Sequence, residues 1–264
     1  MNHGLSTSSE VGILLPLILV LLAKFFPAQG LPTTDQSFQE LKLNYKNWDR
    51  FSDFLFFVLS AMFFYPIWIA LRTYAGWHSQ FLEPAEVILT LRPLYWCIPA
   101  MFLGMACAVP VDNWLLKQFL GKRFSEYIAY ISMRRRMDIL KAERFLIAFI
   151  VIACTVAIYL GLNNYVLLKD NHLIVHGYFS THETDYKLDG IVGIKTAPRL
   201  VAPNGHVVPH REYVISFKDG TAWNTSFIPS EPDPETKRWF VEILSTRSGI
   251  PIKEIDVCEK SNLN

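Results

Sequence analysis

The sequence predicts a helical membrane region of four transmembrane helices, followed by an all-β domain that one α-helix closes. Charged residues make up only 19% of the 264 residues, whereas soluble proteins average about 25%. The shortfall lies in four apolar runs within the first two-thirds of the chain. After residue 163 these runs give way to short alternating segments separated by turn residues, a pattern typical of antiparallel strands. A formal net charge of +1 leaves no basic surplus for binding nucleic acid.

Three of the apolar runs have the length of a transmembrane helix. The longest, Phe145 to Leu168, contains 24 residues and no charge, so at about 1.5 Å per residue it exceeds the hydrocarbon thickness of about 30 Å. The runs between Arg92 and Asp112 and between Asp53 and Arg72 are also uncharged, and tryptophans flank both, as they do at membrane interfaces. These runs predict spans at about 52–72, 93–112 and 145–163.

The first apolar run, Val11 to Ala28, has two interpretations. It resembles a cleavable signal peptide, because Ala28-Gln29-Gly30 is a small-residue pattern at its end. A secretory signal begins with positive charge, however, and the residues before this run include no Lys or Arg. Lys24 lies near the end of the run, where its long side chain can extend to the interface. We therefore predict a fourth span at about 11–28, so that residues 1–163 form the membrane region.

The distribution of Lys and Arg predicts the orientation of the spans. The connection 113–144 carries eight of these residues, and the connection before the 52–72 span carries Lys42, Lys46 and Arg50. The opposite side has only two Lys or Arg residues. They flank the connection between the second and third predicted spans, which we call the middle connection. Because basic connections remain in the cytoplasm, the N-terminus and the C-terminal domain are predicted to be extracytoplasmic.

The basic connection 113–144 is predicted to be helical, since its apolar residues recur near helical spacing. It contains three consecutive arginines, Arg134, Arg135 and Arg136. These cations are predicted to anchor the topology and to attract acidic lipid headgroups; a specific lipid or partner site is the alternative.

The C-terminal region is predicted to contain six or seven antiparallel strands and one helix. Lys218-Asp219-Gly220 is a tight hairpin signal between two alternating runs. Asp233, Pro234 and Glu235 form a typical helix start, and Gly249 a typical helix end. The helix is predicted over 233–248, and the predicted strands are 165–168, 172–176, 179–186, 191–201, 211–218 and 221–227.

A family resemblance covers about 95 residues of this region. The stretch YVLLKDNHLIVHGYFSTHETDYKLDGIVGIKTAP, followed by REYVISFKDGTAW and the predicted helix, resembles the bacterial pleckstrin-homology-like (PH-like) domain, which is often tethered to transmembrane helices. The family's Y-x-L-D-x-I-x-x-I turn corresponds to Tyr186, Leu188, Asp189, Ile191 and Ile194. The resemblance implies a PH-like domain over 164–257, before a short tail at 258–264. It implies a binding or scaffolding module with no catalytic residues.

Candidate chemistry in the sequence is sparse. His206 and His210 are four residues apart, as are His172 and His176, so either pair is a candidate for binding a transition metal. We predict neither a metal site nor a cofactor, because no Cys or carboxylate completes a zinc-type spacing. A ligand site is predicted around His206, His210, Arg211 and Trp223, where cations and an aromatic ring meet on neighbouring strands. The chain has no hydrolase, nucleotide-binding or metalloprotease motif, so it is not predicted to be an enzyme.

These observations predict a membrane-anchored adaptor or accessory protein, and the resemblance implies that its membrane is the bacterial cytoplasmic (inner) membrane. Its PH-like domain is expected to bind a protein or peptide partner or a second copy of the chain, and its membrane region to contact lipids. Two alternatives remain open. A transporter or channel subunit would use Asp53 and Asp112, which lie at the ends of predicted spans. A metal-dependent enzyme at the membrane face would use the histidines.

Overall fold

The computed structural model describes residues 23–27, 37–82, 85–201, 207–225 and 234–255. The helices are α1 (Phe38–Gln80), α2 (Cys97–Leu120), α3 (Phe124–Arg135), α4 (Ile139–Leu162) and α5 (Pro234–Ser248). The strands are β1 (Val87–Thr90), β2 (Tyr165–Lys169), β3 (His172–His176), β4 (Thr184–Lys187), β5 (Ile191–Val201), β6 (Val207–Phe217), β7 (Ala222–Asn224) and β8 (Ile252–Glu254).

Three helical segments are long and apolar enough to cross a membrane: Phe38–Gln80, Pro93–Arg135 and Ile139–Leu162. They contain three of the four predicted spans, so the chain is a membrane protein with a C-terminal β-sheet region. The fourth predicted span, 11–28, lies outside the described residues except for 23–27. α1 begins well before its apolar run because Ser37 and Glu40 form a capping box. The Ser37 backbone N–H donates to Glu40 Oε2 at 2.9 Å, and the Glu40 N–H donates to Ser37 Oγ.

The described residues form two compact units, one up to Ile69 together with Pro99–Thr155, and the other Ala70–Ile98 together with the residues from Val156. In the first unit α2 presents small buried residues at every fourth position: Ala100, Gly104 and Ala108. A Cβ at Gly104 would lie 3.0 Å from the Phe64 backbone nitrogen and 3.1 Å from the Ser60 carbonyl oxygen. The α1 and α2 backbones therefore approach closely, as small residues permit inside membranes.

The connection between the spans of α2 and α4 is helical, as predicted. α2 continues to Leu120, and six consecutive residues of α3, from Tyr127 to Ser132, are buried. This connection packs against the first turns of α1, where Leu41 and Tyr45 are fully buried. The resulting core contains Leu41, Tyr45, Leu116, Leu120, Tyr127, Ile128, Tyr130, Ile131 and Ile139.

The second unit contains two four-stranded sheets, with strand orders β1-β2-β3-β4 and β7-β6-β5-β8. β1 lies in the connection between α1 and α2 and pairs with β2 in antiparallel register, from Val87 opposite Leu168 to Thr90 opposite Tyr165. β1 was not predicted from the sequence. The first sheet thus joins residues before and after the spans of α2 and α4.

Both sheets and α5 contribute to one hydrophobic core. Phe240, Val241 and Leu244 of α5 are fully buried in it, so the predicted helix does close the β region. Two predicted strands are shorter than expected. The strand predicted at 179–186 begins only at Thr184, because residues 177–183 form turns and bends, and the one predicted at 221–227 is the three-residue β7. β8, which was not predicted, pairs parallel with β5.

Candidate functional site

The outer side of β4 is an open sheet edge. β4 pairs with β3 on its inner side, and among the described strands none pairs with its outer side. The chain leaves β4 through a single 3₁₀ turn, Leu188–Gly190, which directs it into the other sheet. Leu188 is buried, so this turn fixes the end of β4.

The hydrogen-bond register identifies which backbone groups face this open edge. The Leu188 N–H donates to the Asn171 carbonyl at 2.9 Å, which makes these two residues a hydrogen-bonded pair. Such pairs alternate along an antiparallel ladder, so Tyr186 and Thr184 also bond to β3. The backbone N–H and C=O groups of Asp185 and the N–H group of Lys187 therefore point outward. Lys187 is also the N-cap of the 3₁₀ turn, so that turn uses its carbonyl.

Side-chain contacts also hold β4 in place. The Tyr186 ring stacks on Phe217, with ring centroids 4.3 Å apart and an interplanar angle of 12°. Burial, followed by the charge of Asp219, raises the pKa of Tyr186 above its ordinary value. On β3 the His172 Nδ1 lies 2.7 Å from the Asp185 carboxylate, and both side chains are exposed.

The residue before β4 is fixed as well. The Tyr165 hydroxyl donates to Glu183, while the Tyr165 ring stacks on His176 at 5.4 Å. Burial and this bond to a carboxylate raise the pKa of Tyr165 well above its ordinary value. Both ends of β4 are therefore anchored while its outer edge stays open. Three of its four residues, Thr184, Asp185 and Lys187, are exposed.

The predicted ligand residues lie in different environments. Trp223 on β7 is only 4% exposed and packs edge-to-face on Phe240, with ring centroids 6.2 Å apart. Arg211 on β6 is exposed. His210 belongs to β6, and His206 lies outside the described residues. Trp223 is thus part of the hydrophobic core, and the ligand site around these four residues stays a prediction.

Arg134, Arg135 and Arg136 are all exposed at the end of α3. Arg134 makes an ion pair with Asp49 of α1. Arg136 has a left-handed backbone conformation, with φ of 55°, and ends the helix. Within the triple arginine, Arg136 therefore caps the helix, and the Asp49 carboxylate orients Arg134.

The residues behind the two alternative functions can also be located. Asp112 of α2 is 8% exposed and accepts a hydrogen bond from Ser52 Oγ at 2.9 Å, whereas Asp53 is exposed and lines a polar cavity. Within the described ranges, no three His, Cys, Asp or Glu side chains come together in a way that could hold a metal ion.

The open edge of β4 was not among the predicted site residues. Its signal in the sequence is slight: a short polar strand, Thr184-Asp185-Tyr186-Lys187, next to the Leu-Asp-Gly turn. Comparison of the chain with protein-family models, with curated proteins and with solved structures finds no match.

Proposed function

We propose that this chain is a membrane-anchored adaptor or accessory protein of the bacterial cytoplasmic membrane, whose β domain binds an extended protein segment along β4. The observation that carries the proposal is the anchored, exposed edge at Asp185 and Lys187. Outward backbone N–H and C=O groups at a sheet edge bind an added strand through main-chain hydrogen bonds, and neighbouring side chains then select its sequence.

A PH-like fold for the β domain is part of this proposal. Two sheets share one core, and the C-terminal helix packs into it through Phe240, Val241 and Leu244. The turn after β4 joins the sheets at the position where the Y-x-L-D-x-I-x-x-I motif lies. Both observations support a small β module of the binding type.

The proposed topology has four spans with both termini extracytoplasmic. Pairing of β1 with β2 supports placing the middle connection and the β domain on one side of the membrane. Pro27 bridges Met137, and the Asp138 N–H donates to the Phe26 carbonyl at 2.9 Å. The end of the first apolar run therefore lies beside the basic connection, where a span over 11–28 that begins outside would end.

The decisive experiment combines crosslinking with a proline substitution. A photo-crosslinking amino acid replaces Asp185 in the full chain in native membranes, and the same amino acid replaces the exposed Glu242 of α5 as a control. We expect a discrete crosslinked product, to a partner or to a second copy, from position 185 only. The control distinguishes a specific edge from general surface collisions.

Lys187→Pro then tests whether backbone hydrogen bonding is responsible. Lys187 has φ of −78° and ψ of 132°, which proline accepts, and its N–H is not used in the ladder with β3. The substitution should abolish the crosslink at position 185 without unfolding the domain, whereas Lys187→Ala, which keeps the N–H, should retain it. An unchanged crosslink in Lys187→Pro, or equal crosslinking at positions 185 and 242, would refute strand addition.

A further inference from the structure

A polar cavity of about 460 Å³ lies between α1 and α3, in the first of the two compact units. Its volume is within the range of small-ligand sites, about 300–1,000 Å³. Its residues come from four turns of α1 and one turn of α3, all outside the β domain. The lining residues are Phe38, Lys42, Lys46, Asp49, Arg50, Asp53, Tyr130 and Arg134.

The cavity carries an excess of positive charge. Lys42, Lys46 and Arg50 follow one another at four-residue intervals, which places them on one face of α1. Together with Arg134 they outnumber the two carboxylates of Asp49 and Asp53. In the part of the chain that the structure describes, no carboxylate forms an ion pair with the three α1 cations. The charge of these cations is therefore available to a ligand.

One cation is already oriented. Asp49, whose side chain is 13% exposed, forms an ion pair with Arg134, whose side chain is 48% exposed. A guanidinium has five N–H donors, so this pair leaves several donors for a ligand. Asp49 therefore positions Arg134 rather than neutralising the whole site.

The floor of the cavity is rigid and aromatic. Tyr130 is 3% exposed and stacks on Phe38, with ring centroids 6.0 Å apart. On its other side it stacks on the fully buried Tyr45 at 6.2 Å, and the Tyr45 hydroxyl donates to Glu126 at 2.7 Å. The cations are thus presented above a packed core, which limits the entropy lost when a ligand binds.

The position of the cavity along α1 indicates that its ligand comes from the membrane. Asp53 is the last charged residue before the uncharged run that starts at Phe54. The Asp53 end of the cavity therefore lies at the level of the lipid headgroups. Arg50, Lys46 and Lys42 follow at intervals of about one helical turn in the direction away from the apolar run. Basic pockets next to transmembrane helices at this level bind acidic headgroups.

We infer that this cavity is a binding site for a phosphate ester, and that the ligand is the headgroup of an acidic phospholipid. Lys42, Lys46, Arg50 and Arg134 supply charge-assisted hydrogen bonds to the phosphate oxygens. Phe38 and Tyr130 form the aromatic floor. Asp53 opposes anion binding, and it limits the affinity of the site.

The test measures lipid retention by native mass spectrometry of the full chain in detergent micelles. Phosphatidylglycerol is titrated against phosphatidylcholine with the same acyl chains. The wild type should retain one phosphatidylglycerol in preference to phosphatidylcholine. Equal retention of the two lipids would overturn the inference.

Two charge-matched double variants separate a specific site from general attraction. Lys42→Gln with Lys46→Gln removes two cations from the cavity. Arg135→Gln with Arg136→Gln removes two exposed cations from the end of α3 that do not line it. Because a cation near an acidic headgroup contributes about a fivefold change in affinity, the first pair should weaken retention about 30-fold and the second only slightly. Equal losses would refute a built site.

Asp53→Asn supplies a test in the opposite direction. Removal of this exposed carboxylate should strengthen phosphatidylglycerol retention about fivefold, a gain that no unfolding can mimic. An unchanged or weaker retention would contradict the inferred site. A final titration with glycerol 1-phosphate tests whether the ligand is a membrane lipid or a free phosphate ester. If glycerol 1-phosphate leaves the bound lipid in place, the ligand is the membrane lipid. If it displaces the lipid at equal concentration, the assignment to a lipid headgroup is wrong.

Discussion

The close approach of α1 and α2 at Gly104 leads to a quantitative prediction for Gly104→Ala. The new Cβ would lie 3.0 to 3.2 Å from three backbone atoms of Ser60 and Phe64, whereas ordinary contacts are 3.4–4 Å. Because these atoms belong to the α1 backbone, no side-chain rotation relieves the overlap, and the two helices must separate by a few tenths of an ångström.

The expected magnitude follows from two opposing contributions. Overpacking of this kind costs about 1–3 kcal/mol, and replacement of a helical glycine by alanine returns about 0.5–1 kcal/mol. Gly76 of α1 provides the matched control, since a Cβ there meets no atom within 4 Å. Gly76→Ala should therefore be neutral or stabilising, and the two variants should differ by about 1–3 kcal/mol.

The assay is reversible unfolding of each purified variant in mixed micelles, followed by tryptophan fluorescence. We expect a lower midpoint for Gly104→Ala than for the wild type or Gly76→Ala. Gly104→Leu, which adds three more carbons at the same contact, should unfold more readily still. If Gly104→Ala were as stable as Gly76→Ala, the helices would not be packed through this glycine.

Three further predictions concern the β domain. Burial and Glu183 raise the pKa of Tyr165 in the folded protein. Its contribution to stability is therefore complete below about pH 10 and is lost as the pH rises further. In alkaline unfolding curves, Tyr165→Phe should lose less stability with rising pH than the wild type, and an unchanged slope would contradict this. Phe240→Ala removes a fully buried ring and should cost about 3–5 kcal/mol, whereas Trp239→Ala, at a half-exposed position, should cost below about 1 kcal/mol in chemical denaturation. A phosphatase fused after Asn264 should be active outside the cytoplasm; fluorescence of a cytoplasm-active protein fused there would instead reverse the proposed topology.

The sequence predicts the membrane spans better than it predicts where the helices begin and end. Long apolar runs predict spans without any knowledge of neighbours, because the backbone of a membrane segment must satisfy its own hydrogen bonds. The start of α1 at Phe38 and the end of α2 at Leu120 were harder to predict from the sequence. Both helices extend beyond their apolar runs through charged residues. Those extensions are stabilised by a shared core around Tyr45 and Tyr130, which forms only when distant segments meet.

The proposed sites illustrate the same limit. Arg134 was predicted as a headgroup contact from the triple arginine alone, but Lys42, Lys46 and Arg50 were counted only as topology signals. Their periodicity places them on one helix face, whereas their position opposite Arg134 depends on how α3 packs. Trp223 is buried against Phe240, and this burial could not be predicted because alternation along a strand does not reveal which face a helix will cover.

Hydrophobic periodicity and turn chemistry act over a few residues. The amino-acid sequence alone therefore predicts the membrane character of the protein, three helices long enough to span a membrane, most strands of the β region and the closing helix. Three features are visible only in the folded chain. β1, from between two spans, completes the first sheet; the other described strands leave the outer side of β4 unpaired; and cations from α1 and α3 share one cavity. Each of these depends on pairing between segments far apart in the chain. Strand partners and cavity walls are set by the free energy of packing the whole chain, which no local pattern records.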